Sequence, residues 1–89
     1  MAWRIDIAPA AKKELDKIGR PAARRIVKYL HERIAPLSDP RSLGDALKGP
    51  KFGEYWRYRL GEYRIIAKIE DDALLILVLR VGHRRNVYK

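Results

Sequence analysis

Four arginines, one histidine and one tyrosine are the residues of this chain that could do chemistry on a phosphate. They fall in two stretches, Trp56-Arg57-Tyr58-Arg59-Leu60-Gly61-Glu62-Tyr63-Arg64 and Val81-Gly82-His83-Arg84-Arg85-Asn86-Val87-Tyr88. In the first, two alternating segments meet at Gly61-Glu62, and glycine at the first central position suits a tight type II′ hairpin turn. With a two-residue turn, Leu60 faces Tyr63, Arg59 faces Arg64, Tyr58 faces Ile65 and Arg57 faces Ile66. One face then carries Trp56, Tyr58, Leu60, Tyr63, Ile65, Ala67 and Ile69, and the other Arg57, Arg59, Arg64, Ile66 and Lys68. Like charges set directly opposite destabilise a sheet. A single such pair is most simply a solvated surface, the arginine stems covering apolar area with their heads in water. An anion held between Arg59 and Arg64 would account for the pair in another way, and the cations, imidazole and phenol of the second stretch favour that account.

RNA carries its own nucleophile, the 2′-OH. Cutting it requires in-line geometry, stabilisation of a phosphorane more negative than the diester, and proton transfers at oxygen. Arg59, Arg64 and Arg84 suit the stabilising task, with Arg64 as the main phosphate clamp and Arg84 placed for charge on the leaving 5′ oxygen. For proton transfer the neighbouring sequence offers His83 and Tyr88, and histidine titrates nearest neutrality. Tyr88 has the alternatives of stacking on a base or orienting the nucleophile. Arg57 is a further charge stabiliser and RNA contact, joined on the same face of the hairpin by Lys68 as an RNA contact. Lys48, Lys51 and Arg85 are candidate contacts to flanking phosphates. No Asp/Glu/His spacing suggests a metal site, so metal-independent catalysis without a cofactor is expected.

The elements that position these residues are few. At 89 residues a single domain spanning 1–89 is expected. Twenty Lys plus Arg against 11 Asp plus Glu give a net charge of +9, the footprint of nucleic acid, an anionic membrane or an acidic protein. The absence of cysteine removes disulfides, thiolate metal sites and cysteine nucleophiles. No secretory signal and no run of about 20 apolar residues is present, so membrane insertion is not expected and a cytosolic location is.

Trp3, Ile5 and Ile7 alternate with Arg4 and Asp6, which predicts a half-buried strand. Pro9 opens a helix with Ala11, Leu15 and Ile18 on its apolar stripe, stopped at Gly19. Pro21 opens a second helix with Ile26, Val27, Leu30 and Ile34. His31 and the cations Arg24, Arg25, Lys28 and Arg33 lie on its wet side, where a ribosomal RNA contact is the alternative to plain solvation. The stretch from Pro36 to Pro50 holds the turn residues of a long loop. After the hairpin, Glu70-Asp71-Asp72 makes a polar turn and Leu74–Leu79 a continuously apolar strand that belongs inside the sheet. The fold class is therefore α+β: an N-terminal strand and a two-helix hairpin packed on one face of a small, mainly antiparallel four-stranded sheet. The arginines fall on the opposite face, and Trp3 and Trp56 by phase belong to the core.

Taken together, the strand and helix with Ala11, Lys12 and Leu15, the loop with Asp39-Pro40-Arg41 and Leu47-Lys48-Gly49, the hairpin, and the ending with Val81-Gly82-His83-Arg84 and Val87-Tyr88 resemble the RelE toxins of the RelE/ParE superfamily. The resemblance covers nearly the whole chain, and the hairpin and ending are its specific part. It implies a RelE-like, microbial-RNase-like fold and a ribosome-dependent mRNA endonuclease (mRNA interferase) that cuts in the ribosomal A site and so inhibits translation. It also implies a cognate RelB-like antitoxin encoded alongside, with a toxin monomeric by itself and assembled into toxin–antitoxin heteromers. The family's basic positions fall on Arg57, Arg59, Arg64 and Arg84, and its C-terminal tyrosine on Tyr88. Where some members carry lysine this chain has Arg57 and Arg59, which hold charge but are poor proton carriers. The alternatives are a non-nucleolytic ParE-like inhibitor of DNA gyrase and a plain RNA-binding module.

Overall fold

Prolines and glycines punctuate the chain where the sequence places them. The structure, a computed structural model, describes residues 3–47 and 55–83. Its elements are β1 (Arg4–Ile7), α1 (Pro9–Ile18), α2 (Arg20–Tyr29), a π turn (Leu30–Ile34), a 3-10 turn (Pro40–Leu43), β2 (Asp45–Ala46), β3 (Tyr55–Leu60), β4 (Tyr63–Glu70) and β5 (Leu75–His83). Pro9 and Pro21 stand in the first turns of the two helices, where a missing N–H costs nothing. Gly19 between them takes φ 92°, a backbone state that side chains disfavour, and so turns α1 into α2.

The strands form one sheet in the order β1-β5-β4-β3-β2. β1 runs parallel to β5, while the β5–β4, β4–β3 and β3–β2 pairs are antiparallel. The sheet thus has five strands where four are expected. The fifth, β2, comes from the stretch expected to be loop: Asp45 and Ala46 pair with Arg57 and Trp56. Two residues have no periodicity to read, and the turn residues around them mask the pairing. From Leu75 onward the apolar run lies inside the sheet as β5, flanked by β1 and β4; Leu74, expected in the strand, is exposed in the turn before it at φ 49°.

The second helix carries its apolar stripe as far as expected, but its last turn widens. The Ala35 N–H donates to the Leu30 carbonyl at 2.8 Å, and the Ala35 carbonyl accepts from the Trp3 N–H at 2.8 Å. Leu30 and Ile34 stay fully buried, so the wider turn keeps the stripe inside while tying the helix end to the start of β1. Ala11, Leu15, Ile26, Leu30 and Ile34 from the helices pack on Tyr58, Ile65, Ala67, Ile69, Ile76, Val78 and Val81 from the sheet. One sheet face is therefore the core, and the helices do not cover the other.

Candidate nucleic-acid interface

The hairpin turns at Gly61-Glu62 with φ +59° at Gly61, as a type II′ turn requires at its first central residue. The resulting register pairs Leu60 with Tyr63, Arg59 with Arg64, Tyr58 with Ile65 and Arg57 with Ile66, as the turn length predicts. Tyr58 and Ile65 are fully buried against the helices. Because successive residues of a strand alternate sides, Arg57, Arg59, Arg64, Ile66 and Lys68 share the face the helices leave open.

β5 extends that face by a device absent from simple alternation. Ala67 pairs with Val78 but Ile66 pairs with Arg80, so Leu79 is an extra residue in a β-bulge. One extra residue reverses the phase of everything after it. Val81 returns to the core, Gly82 comes beside Arg64, and His83 comes beside Tyr63. The open face therefore carries two cross-strand rows, Arg59–Arg64–Gly82 and Asp45–Arg57–Ile66, while Arg80, the β5 partner of Ile66, turns its guanidinium to Glu14 of α1. In the second row Arg57 Nη2 is 3.3 Å from Asp45 Oδ2, which partly neutralises it. Arg59 is exposed and Arg64 half-buried, so the charge of the first row is the more available to a ligand.

The structure brings Arg57, Arg59 and Arg64 together, with Lys68 farther along the same face. It does not bring His83 to them. His83 lies on the helix side, its ring edge-on to Tyr63 with centroids 6.2 Å apart and Nε2 3.3 Å from Glu62 Oε2. Lys48, Lys51, Arg84, Arg85 and Tyr88 lie outside the described residues. Among the described residues, no group of three or more His, Asp or Glu is placed to hold a metal ion.

Several supports of the site have no signal in the sequence. The Glu14 carboxylate of α1 accepts from Arg80 Nη2 at 2.9 Å and from the Val81 N–H at 2.8 Å, just past the bulge, where pairing with β1 has ended. Burial pushes this carboxyl up, but the Arg80 and Val81 hydrogen bonds outweigh it and hold it below its usual value. Arg41 of the 3-10 turn forks onto Asp71 at 2.6 and 3.1 Å and lies 5.9 Å from the Trp56 ring centroid, joining the loop to the β4–β5 turn. A groove of about 540 Å³ there is lined by Lys68 but also by Glu70, Asp71 and Asp72. Its carboxylates repel an anion, so the Arg59–Arg64 row is the better candidate seat for one. A second groove, about 320 Å³, lies between α2 and the hairpin and presents Arg25, Lys28 and Arg33 around Tyr29 and Leu60. Three of the four helix cations, Arg25, Lys28 and Arg33, thus border a cleft.

Comparison with known proteins bears on the fold that carries this face. The family profile described as the ParE toxin of type II toxin–antitoxin system, parDE, matches residues 5–88. Toxin RelG of Mycobacterium tuberculosis is 24% identical over 89 residues, covering 100% of this chain and 99% of its own. Among solved structures, the toxin–antitoxin complex RelBE2 of Mycobacterium tuberculosis superposes with a TM-score of 0.84 at 21% identity, over 97% of this chain and 95% of the matched chain. The isolated Escherichia coli RelE toxin does so with a TM-score of 0.67 at 23% identity, over 92% and 84%. These likenesses show the fold, and it is the expected one.

Proposed function

The chain belongs to the ParE toxin family of type II toxin–antitoxin systems, and from that premise we propose that it is the toxin that cuts messenger RNA in the ribosomal A site. The observation that carries this reading is the Arg59–Arg64 pair. Two like charges facing each other across a hairpin work against folding, and a phosphate between them removes that conflict.

In the proposed reaction the RNA 2′-oxygen attacks the adjacent phosphorus while the bond from phosphorus to the 5′ oxygen breaks. The products are a cyclic phosphate and a 5′-hydroxyl end. The phosphorane gains negative charge, and preorganised guanidinium groups stabilise it more than the ground state. Arg64, half-buried and better fixed, is the phosphate clamp, and Arg59 is its exposed partner. Arg57, paired with Asp45, positions the neighbouring nucleotide, and Lys68, Lys48, Lys51 and Arg85 contact flanking phosphates. By their place in the sequence, Arg84 takes the charge on the leaving oxygen and Tyr88 serves proton transfer or orientation. His83, held by Glu62 and Tyr63, braces the turn. The ribosome delivers the message, and a RelB-like antitoxin restrains the toxin in a heteromer in the cytoplasm.

Primer extension on a translated message, with and without the protein, tests the reading. New 5′ ends within codons are expected, and Arg64→Ala should abolish them. A second reading has its own support, since the matched family is described by the ParE toxin: growth inhibition by poisoning DNA gyrase without RNA cleavage. Growth arrest with intact messages and impaired supercoiling would select it and reject the first.

A further inference from the structure

Gly82 sits in a strand with no backbone reason to be glycine. Among the described residues the glycines with positive φ are Gly19 and Gly61, so the torsion of Gly82 does not by itself call for glycine. Glycine weakens a strand interior, and where the backbone does not demand it a strand glycine often marks a close approach by a ligand or another chain. Its position gives that approach a direction. Gly82 is the cross-strand neighbour of Arg64, which faces Arg59, so the row ends in a position without a side chain. The bulge at Leu79 is what puts it there; uninterrupted alternation would have placed Gly82 toward the helices.

We propose that Gly82 is the floor of the RNA site, a position left bare so that the sugar–phosphate strand can lie against β5 with its phosphodiester beside Arg64. This rests on the nuclease reading and adds to it a residue that excludes nothing chemically and acts through shape. A guanidinium reaches a phosphate best when the phosphate can settle to hydrogen-bond distance. A Cβ at position 82, and more so a branched side chain, lifts the strand away. Displacement of about 1 Å can cost on the order of a hundredfold in rate.

The test makes the full chain in a cell-free translation system and maps cuts in a reporter message for wild type, Gly82→Ala, Gly82→Val and Arg64→Ala. Cleavage should fall in steps, about severalfold for alanine and about a hundredfold for valine. Stability should move the other way, because valine suits a strand better than glycine. In an Arg64→Ala background, Gly82→Val should raise the thermal midpoint by roughly 2–5 °C. If Gly82→Val cuts at the wild-type rate while Arg64→Ala does not cut, the floor is overturned and the nuclease stands. If Gly82→Val lowers the thermal midpoint, the glycine is a folding requirement and the floor is again overturned. Cutting by Arg64→Ala, or none by wild type, removes the nuclease reading and this inference with it.

Discussion

Arg59 and Arg64 are direct cross-strand partners one residue in from the Gly61-Glu62 turn, on the sheet face the helices leave uncovered. Relieving their repulsion should help folding and harm function. Arg59→Gln is expected to gain about 0.2–1 kcal/mol of stability, toward the low end because Arg59 is exposed and salt screens it. RNA cleavage should fall in the same variant. Urea unfolding beside a growth assay checks both, and a variant that is less stable yet fully toxic would contradict the functional origin of the pair.

Tyr58 joins the site strand to the loop. Its ring is fully buried, its hydroxyl donates to the Pro40 carbonyl at 2.7 Å, and burial pushes its titration well above the ordinary phenol range. A Cβ on Gly44 would stand 3.0 Å from the ring, so the loop closes on Tyr58 at a glycine. Tyr58→Phe removes this hydrogen bond to the Pro40 carbonyl and should cost about 0.5–1.5 kcal/mol. Chemical denaturation measures it, and a loss under about 0.5 kcal/mol would mean that the hydroxyl contributes less than a typical hydrogen bond.

How far such relationships were legible depends on their range. The hairpin register was readable because Gly61-Glu62 names its turn and strict alternation names its faces, both local signals. The two helices, their proline starts and the buried run of β5 were readable for the same reason. β2 was not, since two residues carry no period, nor was the pairing of Glu14 with Arg80, 66 residues apart. The Leu79 bulge has no local signal either: by unbroken alternation His83 shares the arginine face, and the extra residue turns it away and brings Gly82 in.

Glu14 gives the fold a pH dependence of known sign. Its carboxyl is held below the usual value by Arg80 and Val81, against the opposing effect of burial. A group with a lowered folded pKa contributes stability above its unfolded value, about 4.3, and loses it as pH falls through the folded value. Glu14→Gln removes this component. The variant should be less stable than wild type by about 1–3 kcal/mol near pH 7, and the gap should close below about pH 4. Thermal unfolding from pH 3 to 8 checks it, and a gap that stays constant across that range would show that the Glu14 charge is not what holds β5.

His83 supplies the sharpest test of the site's boundary. In sequence it adjoins Arg84, and by residue type it is the better proton carrier of the two candidates, so proximity along the chain argues for a catalytic role. In space it shares a face with Tyr63 and meets Glu62, while Arg59 and Arg64 point to the other side of the sheet. A general acid or base must come within about 3 Å of the proton it moves, directly or through one water. His83→Ala should therefore keep message cleavage within about threefold of wild type, whereas loss of a positioned proton carrier costs about 10²–10⁴-fold. A modest drop in thermal midpoint should accompany it as the turn loses its contact with Glu62. Cleavage mapped by primer extension across pH 6 to 8 decides between these: a hundredfold loss would return the imidazole to the reaction and require β5 to rearrange when RNA binds.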